Sequence, residues 1–258
     1  TLRAWFDWHE RRVRQSAISG RRSPASAGAV ARDILMAAAS RSKSLSETES
    51  KRILACYGIR VPREVLARDS DTAVEAASRI GGPVALKIVS PDILHKTEAG
   101  GVKLGLSTAE NVRAAAQEIL QSVSHYAPRA RLDGISVQQM APSGLEIVLG
   151  VKNDAQFGPL VAVGLGGIMV ELLRDTAVRF APVADAAARD MLTSLKGHPL
   201  LAGFRGRPGV DVDGLVDAIC RLSELAHDLA DVIDQIDVNP VIASGATVMA
   251  ADALIICR

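Results

Sequence analysis

One short segment, GGPVALKIVSPDILHKTEAGGV, holds several residues whose types and spacing suit chemistry on an anion. Lys87 stands near the end of an apolar run. The pair His95-Lys96 follows after a short loop, and Gly100-Gly101 comes next. They provide a fixed cation, a second basic pair and glycines that leave backbone amides accessible, which together favour a phosphate group. Taken alone, Lys87 is equally well interpreted as a strand-end lysine that reaches water.

His95 is the candidate for group transfer in this segment. Its imidazole can act as a nucleophile as well as a proton carrier, so that a phosphorylated histidine is a plausible covalent intermediate. The alternative is a solvated or capping loop histidine, and the spacing by itself does not decide between the two.

An acid–amide set lies near the C-terminus. Asp237 and Asn239 are two residues apart in an apolar run, which places both side chains on one face of a strand. Asp252 lies in the next predicted strand and is expected to oppose them. Such oxygen ligands suit Mg2+ beside phosphates. The alternative is a turn at Asn239-Pro240 that leaves Asp237 as a surface acid.

A polar strand end, Gln138-Gln139-Met140, is followed by Glu146 and predicts a hinge between two lobes. Backbone groups at such a hinge can bind a flat base, with Met140 packing on its face. A strand end with solvated glutamines is an equal alternative.

Arg179 follows a glycine-rich turn at Gly164–Gly167 and offers a planar set of donors for phosphate. It can equally pair with Glu171 or Asp175, and the sequence does not rank these partners.

The elements that must position these groups alternate between strands and helices. Ser46 and Glu49 form a capping box that begins a helix ending at Gly58. Further helices are predicted at about 72–80, 109–123, 186–195 and 216–229. Strands are predicted at 59–65, 83–89, 102–106, 135–140, 147–151, 160–165, 232–238 and 248–256.

The composition agrees with a layered α/β protein. Of the 258 residues, 48% are hydrophobic and only 3% aromatic, which favours helices with sheets over an all-β sandwich. The net charge of +1 gives no field that would recruit nucleic acid or an anionic membrane. No stretch predicts a membrane span or a secretory signal. Three widely spaced cysteines indicate reduced thiols in a cytoplasmic protein.

Residues 1–43 differ from the rest of the chain. Trp5 and Trp8 stand among arginines and precede a Gly/Arg/Ser/Pro stretch. This composition is typical of the tail of a preceding domain with a polar linker, and we favour that interpretation over a nucleic-acid-binding arm.

In their order along the chain these motifs resemble the ATP-grasp part of ADP-forming acyl-CoA synthetases. Archaeal ADP-forming acetyl-CoA synthetase is the best-known type, and succinyl-CoA synthetase is a more distant relative. The resemblance runs from about residue 44 to the C-terminus. The matching segments are LSETESKRILACYGI, PVALKI with HKTEAGGV, VQQMAPSGLEIVLGVKNDAQFGPLVAVGLGG, RFAP, and QIDVNP with AADALI.

The resemblance implies an α/β (α+β type) ATP-grasp fold, in which two lobes clasp the nucleotide between antiparallel sheets. The smaller lobe is expected at 63–133 and the larger at 44–62 with 134–258. Residues 1–43 are expected to be the linker or tail of a preceding CoA-ligase domain.

The resemblance also implies site roles. His95 is expected to be the catalytic residue that exchanges phosphate with the nucleotide. The expected metal ligands are Asp237, Asn239 and Asp252, with Mg2+ as the ion. The residues expected to bind ATP or ADP are Lys87, Lys96, Gly100, Gly101, Gln139, Met140, Glu146 and Arg179.

The implied reaction is that of an acid–thiol ligase: ATP, a carboxylic acid and CoA give acyl-CoA, ADP and phosphate. CoA and the small acid are expected to bind only through CoA-binding domains, supplied by the same polypeptide or by an alpha subunit. An oligomer is possible, whereas nucleic acid and membrane partners are not expected. The sequence does not name the acid.

Two alternatives belong to other functional classes. One is a non-catalytic nucleotide sensor or scaffold, as in relatives fused to acetyltransferases. Retention of Lys87, His95, Asn239 and Asp252 argues against it. The other is an ATP-grasp ligase that makes an acyl phosphate directly and turns over without a partner.

Overall fold

The structure, a computed structural model, describes residues 22–93, 95–167, 175–204 and 207–258. It divides into two compact units. The small unit is Pro62–Ala141, and the large unit comprises the chain up to Val61 together with Pro142–Arg258. Trp5, Trp8 and Glu171, which the sequence analysis singled out, lie outside the described residues.

Most of the predicted helices and strands are present in the described chain, whereas the helix Ala27–Ala39 and the strand Thr176–Phe180 were not predicted. In chain order the elements are α1 (Ala27–Ala39), α2 (Glu47–Cys56), β1 (Glu64–Ala67), α3 (Ser70–Ile80), β2 (Val84–Val89), β3 (Val102–Leu106), α4 (Ala109–Tyr126), β4 (Gly134–Gln139), β5 (Leu145–Asp154), β6 (Gly158–Leu165), β7 (Thr176–Phe180), α5 (Asp185–Ser194), α6 (Pro199–Ala202), β8 (Gly203–Phe204), β9 (Arg207–Pro208), α7 (Val212–Asp228), β10 (Ile233–Ala243), β11 (Val248–Ala250) and β12 (Leu254–Cys257).

The small unit is an antiparallel sheet in the order β1-β4-β2-β3, with α3 and α4 packed on one face. Strand alternation puts Leu86, Ile88 and Val137 into the core beneath the helices. Strand β4 pairs with both β1 and β2. Residues 134–141 therefore belong to the small unit, which corrects their assignment to the larger lobe.

The large unit is built on a second antiparallel sheet in the order β11-β10-β5-β6-β7, with β12 also pairing with β10. Ile147, Leu149 and Val151 alternate along β5 and face the core. The long helix α7 packs on β5 and β6 and contributes many buried residues.

The N-terminal part of the large unit is more ordered than the composition suggested. Ala27, Ala31, Leu35 and Ala38 recur at helical spacing and are buried, so residues 27–39 form a packed helix rather than a linker. The capping box of α2 is confirmed, because the Ser46 hydroxyl accepts from the N–H of Glu49 at 3.3 Å.

The end of the chain departs from the predicted pair of continuous strands. Strand β10 passes through Asn239-Pro240 with a shift in register between Val238 and Val241, so the alternative of a turn there is wrong. The N–H of Ala251 donates to the Pro240 carbonyl at 2.9 Å. The predicted strand 248–256 is consequently two short strands, and Asp252 lies in the break between them.

Among the described residues, no helix is long and apolar enough to cross a membrane.

Candidate functional site

His95 lies on the loop between β2 and β3, and its side chain is exposed. Ile93 and Ala99 flank it and are only 4% and 3% exposed, which anchors the loop in the core of the small unit. The Asp92 carboxylate accepts hydrogen bonds from the backbone N–H of Arg131 at 2.8 Å and from its Nη2 at 3.0 Å. These contacts hold the loop in place, while the side chain of His95 remains exposed to solvent.

The ion pair between Asp92 and Arg131 also changes the pKa of Asp92. Hydrogen bonds from Arg131, first from its side chain and then from its backbone, lower the pKa of Asp92 to about 2. The carboxylate is consequently charged at neutral pH and keeps its contact with the guanidinium.

The two glycines of this loop do something other than what the sequence predicted. The Gly100 N–H donates to the Thr97 carbonyl at 3.1 Å, and the Gly101 N–H donates to the Lys96 carbonyl at 2.7 Å. A Cβ on Gly101 would lie 2.5 Å from Cγ2 of Ile88. The expectation of bare amides is therefore wrong: glycine is needed here because it lets the loop close tightly on β2.

Lys87 lies in β2 between the buried residues Leu86 and Ile88, so its side chain is on the face of the sheet away from α3 and α4. Its neighbours across the sheet are Ser136 in β4 and Val102 in β3. The lysine is half-buried, as is Lys96 next to His95. The small unit therefore carries the predicted lysines and the histidine on β2 and the loop that follows it.

The predicted hinge lies where the chain leaves the small unit. The N–H groups of Gln139 and Met140 donate to the carbonyls of Arg63 and Pro83 at 2.8 and 3.1 Å. The unit ends immediately afterwards, at Ala141. The alternative of solvated glutamines is wrong for Gln138, which is 3% exposed.

Arg63 is a residue that the sequence analysis missed. Its Nε donates to Oε1 of Gln139 at 3.3 Å, and its Nη2 donates to the Ile80 carbonyl at 2.7 Å. It thus ties the end of β4 to the end of α3. The only available signal in the sequence was its position directly after a proline.

In the acid–amide set, Asp237 and Asn239 lie on β10, and Asp252 lies in the break between β11 and β12. Asp237 is opposite Leu254 across β12 and opposite Gly150 across β5. Burial, and then the charge of Asp252, raise the pKa of Asp237. Asn239 is exposed two residues further on. The neighbouring carboxylates have hard oxygens and mutual repulsion that a cation would relieve, so this set fits Mg2+ chemically.

Within the described part of the chain, no group of three or more His, Cys, Asp or Glu is arranged to hold a metal ion. The set above contains two carboxylates and one amide, and a hydrated ion would complete its shell with water and phosphate oxygens.

Glu146 lies near the start of β5 and is exposed, and the Gly166-Gly167 turn lies against it. The Gly166 N–H donates to the Glu146 carbonyl at 2.6 Å. A Cβ on Gly166 would lie 2.8 Å from Cβ of Glu146, and one on Gly167 would lie 3.0 Å from its Oε2. These glycines make room for the glutamate side chain.

Arg179 is in β7 opposite Val161, and its Nη1 donates to the Val178 carbonyl at 2.9 Å. The Asp175 carboxylate accepts from the N–H groups of Lys196 and Gly197, each at 2.9 Å. Asp175 thus caps a turn of the large unit.

Comparison with known proteins decides the family. A model of the ATP-grasp domain matches residues 36–257. The chain belongs to the ATP-grasp family. The fold predicted from the resemblance, an α+β arrangement of helices with antiparallel sheets, is thereby confirmed.

Two relatives of this ATP-grasp chain are beta subunits of ADP-forming acetate–CoA ligases from Pyrococcus furiosus. The beta subunit of ADP-forming acetate–CoA ligase I from Pyrococcus furiosus is 42% identical over 228 residues, covering 88% of this chain and 98% of that subunit.

Two solved structures of acetyl-coenzyme A synthetase 1 from Candidatus Korarchaeum cryptofilum are similar to this ATP-grasp chain. One contains coenzyme A and Ca-AMPCP. It superposes with a TM-score of 0.85 at 42% identity and covers 88% of this chain and 100% of that one. The other contains coenzyme A and Mg-AMPPCP, with a phosphohistidine segment that points towards the nucleotide-binding site. Its TM-score is 0.78 at 40% identity, with the same coverage.

Proposed function

We propose that this chain is the nucleotide-binding, phosphate-transferring subunit of an ADP-forming acyl-CoA synthetase, and that it carries phosphate on His95. The observation that carries the proposal is an exposed histidine on an anchored loop directly after the strand that bears Lys87. The similar subunit from Pyrococcus furiosus belongs to an ADP-forming acetate–CoA ligase.

The proposed step is a transfer of the γ-phosphoryl group. The unprotonated ring nitrogen of His95 attacks the γ-phosphorus, the N–P bond forms, and the bond to the bridging oxygen breaks as ADP leaves. Lys87 and Lys96 would offset the negative charge of the phosphates, because ammonium groups near phosphate stabilise charge that develops during transfer. Reversal of the step would regenerate ATP from ADP.

The remaining site residues are assigned by the same proposal. Asp237, Asn239 and Asp252 would hold Mg2+, which would neutralise phosphate charge. Gln139, Met140 and Glu146 would bind the base and ribose, and Arg179 would contact phosphate. Gly100 and Gly101 would act indirectly, by shaping the loop that carries His95.

The acyl chemistry would take place elsewhere in the assembly. A carboxylic acid and CoA would react at CoA-binding domains in a partner subunit or in the same polypeptide, with phosphate delivered from His95. The solved relatives contain coenzyme A together with nucleotide analogues. We also propose a cytoplasmic location, because Cys56, Cys220 and Cys257 are free thiols.

Labelling with γ-phosphate-labelled ATP and Mg2+ tests the proposal. The full chain should take up label that is stable to base, labile to acid and removed by added ADP. His95→Ala should abolish this label. His125→Ala is the matched control, because His125 is also exposed and lies in the small unit on α4.

If the folded protein takes up no label from ATP and Mg2+, the proposed phosphate-transfer role is contradicted. ATP binding without labelling would point to a nucleotide sensor. Acyl phosphate formed by the chain alone from acetate would point to a direct ligase.

A further inference from the structure

A polar network crosses the face of the small sheet opposite α3 and α4. The Glu64 carboxylate accepts hydrogen bonds through Oε2 from the Ser136 hydroxyl at 3.3 Å and from Nε2 of Gln138 at 3.2 Å. The Gln138 Nε2 also lies 3.2 Å from the Ser136 hydroxyl. The network joins β1 to the central strand β4.

The two β4 members of this network are buried, with Ser136 at 4% and Gln138 at 3% exposure. Polar groups removed from water are costly unless they are hydrogen-bonded, and the Glu64 carboxylate bonds to both of them. The position of that carboxylate is consequently fixed by two buried donors.

Lys87 lies on the same face, one strand further on. Ser136 pairs with Lys87 across the β2–β4 ladder, while Glu64 pairs with Gln138 across the β1–β4 ladder. Ser136, which has a short side chain, therefore separates the glutamate from the lysine. Because the Glu64 carboxylate contacts the Ser136 hydroxyl, and Ser136 is directly opposite Lys87 on the adjacent strand, the long lysine side chain can reach that carboxylate.

We infer that Glu64 is a positioning residue for Lys87, and that its fixed carboxylate holds the lysine ammonium in the place where it meets the nucleotide phosphates. This inference rests on the proposed function. A mobile ammonium on a four-carbon stem loses rotamer freedom when it binds phosphate, and a carboxylate that orders it beforehand reduces that loss. The network thereby gives β1, which bears no predicted site residue, a part in nucleotide binding.

A double-mutant cycle on Mg-ATP binding to the full chain tests the inference. Glu64→Gln keeps the shape and the hydrogen-bonding oxygen but removes the charge. It should weaken Mg-ATP binding about tenfold when Lys87 is present, a coupling that is typical of side chains in one network. In a Lys87→Met background the same change should alter the dissociation constant less than about twofold.

Glu75→Gln is the matched control, because Glu75 is an exposed glutamate of α3 in the same unit. It should leave binding unchanged. A thermal melt of each variant separates loss of folding from loss of binding.

The cycle decides between a positioning role and a structural one. The inference is overturned if Glu64→Gln weakens Mg-ATP binding equally in the wild-type and Lys87→Met backgrounds. It is also overturned if Glu64→Gln leaves Mg-ATP binding unchanged or makes it tighter. If wild-type protein binds Mg-ATP but takes up no label, the phosphate-transfer role fails while the cycle still decides the role of Glu64. If it does not bind Mg-ATP, both proposals fail.

Discussion

Arg131 holds Asp92 through three donors, its backbone N–H, Nε and Nη2, at 2.8 to 3.2 Å. Asp92 lies near the start of the loop that carries His95, and Arg131 precedes β4. A surface ion pair thus fixes one end of the loop whose histidine we propose to be phosphorylated.

Replacing Asp92 with Asn should slow labelling of His95 several-fold and leave the melting temperature nearly unchanged. The reason is that exposed ion pairs add little to stability, whereas small displacements of a reacting group reduce rates strongly. Asp71→Asn, which breaks the exposed Arg113–Asp71 pair of the same unit, is the control. Unchanged labelling kinetics in the Asp92 variant would contradict this role of the pair.

The same pair predicts the pH range in which the loop is held. The pKa of Asp92 is lowered to about 2, so its stabilising contact is complete above the ordinary carboxyl pKa. The contact is lost only as the pH falls towards the lowered value. Asp92 therefore does not titrate between mildly acidic and neutral pH. In that range, the pH dependence of the labelling rate should have the same shape in the wild type and in Asp92→Asn. A transition that disappears in this variant would contradict the assignment.

Gly101→Ala should destabilise the small unit by about 1–3 kcal/mol, because an added methyl group in a packed place forces its surroundings apart. The new Cβ would lie 2.5 Å from Cγ2 of Ile88 and 3.0 Å from the Lys96 carbonyl. Gly150→Ala is the control, since its Cβ would approach other atoms no closer than 3.8 Å. Equal midpoints of chemical unfolding for both variants and the wild type would refute the packing argument.

The sequence was sufficient for most elements and for the order of the motifs. The Ser46–Glu49 capping box and the alternation along β5 depend on local chemistry, which short stretches of sequence express directly. The role of Gly101 was not predictable, because it depends on the distance between a loop and Ile88. Glu64 was missed, and the solvated alternative for Gln138 was wrong, for a similar reason: their contacts form only when β1 pairs with β4. Asp252 falls outside a strand because of a bulge in its neighbour, which periodicity does not reveal.

Lys51 and Glu47 form a buried ion pair at 3.0 Å, with side chains 1% and 8% exposed. Lys51→Met should destabilise the protein by about 3 kcal/mol, because it leaves a buried carboxylate without its cation. Adding Glu47→Gln should recover part of that loss. Denaturant unfolding measures the free energies of both variants.

The control for this pair is Lys152→Met, which breaks an exposed ion pair with Asp234. It should cost less than about 1 kcal/mol. A Lys51→Met variant as stable as this control would show that the buried pair contributes nothing measurable.

The proposed metal site offers a prediction that is independent of His95. Asp252→Asn should remove most of the tightening of ATP binding that Mg2+ produces, and should leave binding of ATP in the presence of a chelator no weaker. The reason is that an amide coordinates Mg2+ more weakly than a carboxylate, whereas loss of the Asp252 charge reduces its repulsion of metal-free ATP. Asp234→Asn is the control, because Asp234 lies on the same strand as Asp237 but pairs with Lys152. Calorimetric titration with and without Mg2+ gives both constants for each variant. If Asp252→Asn retains the full Mg2+ effect, or if Asp234→Asn loses it to the same degree, the assignment of the metal ligands is wrong.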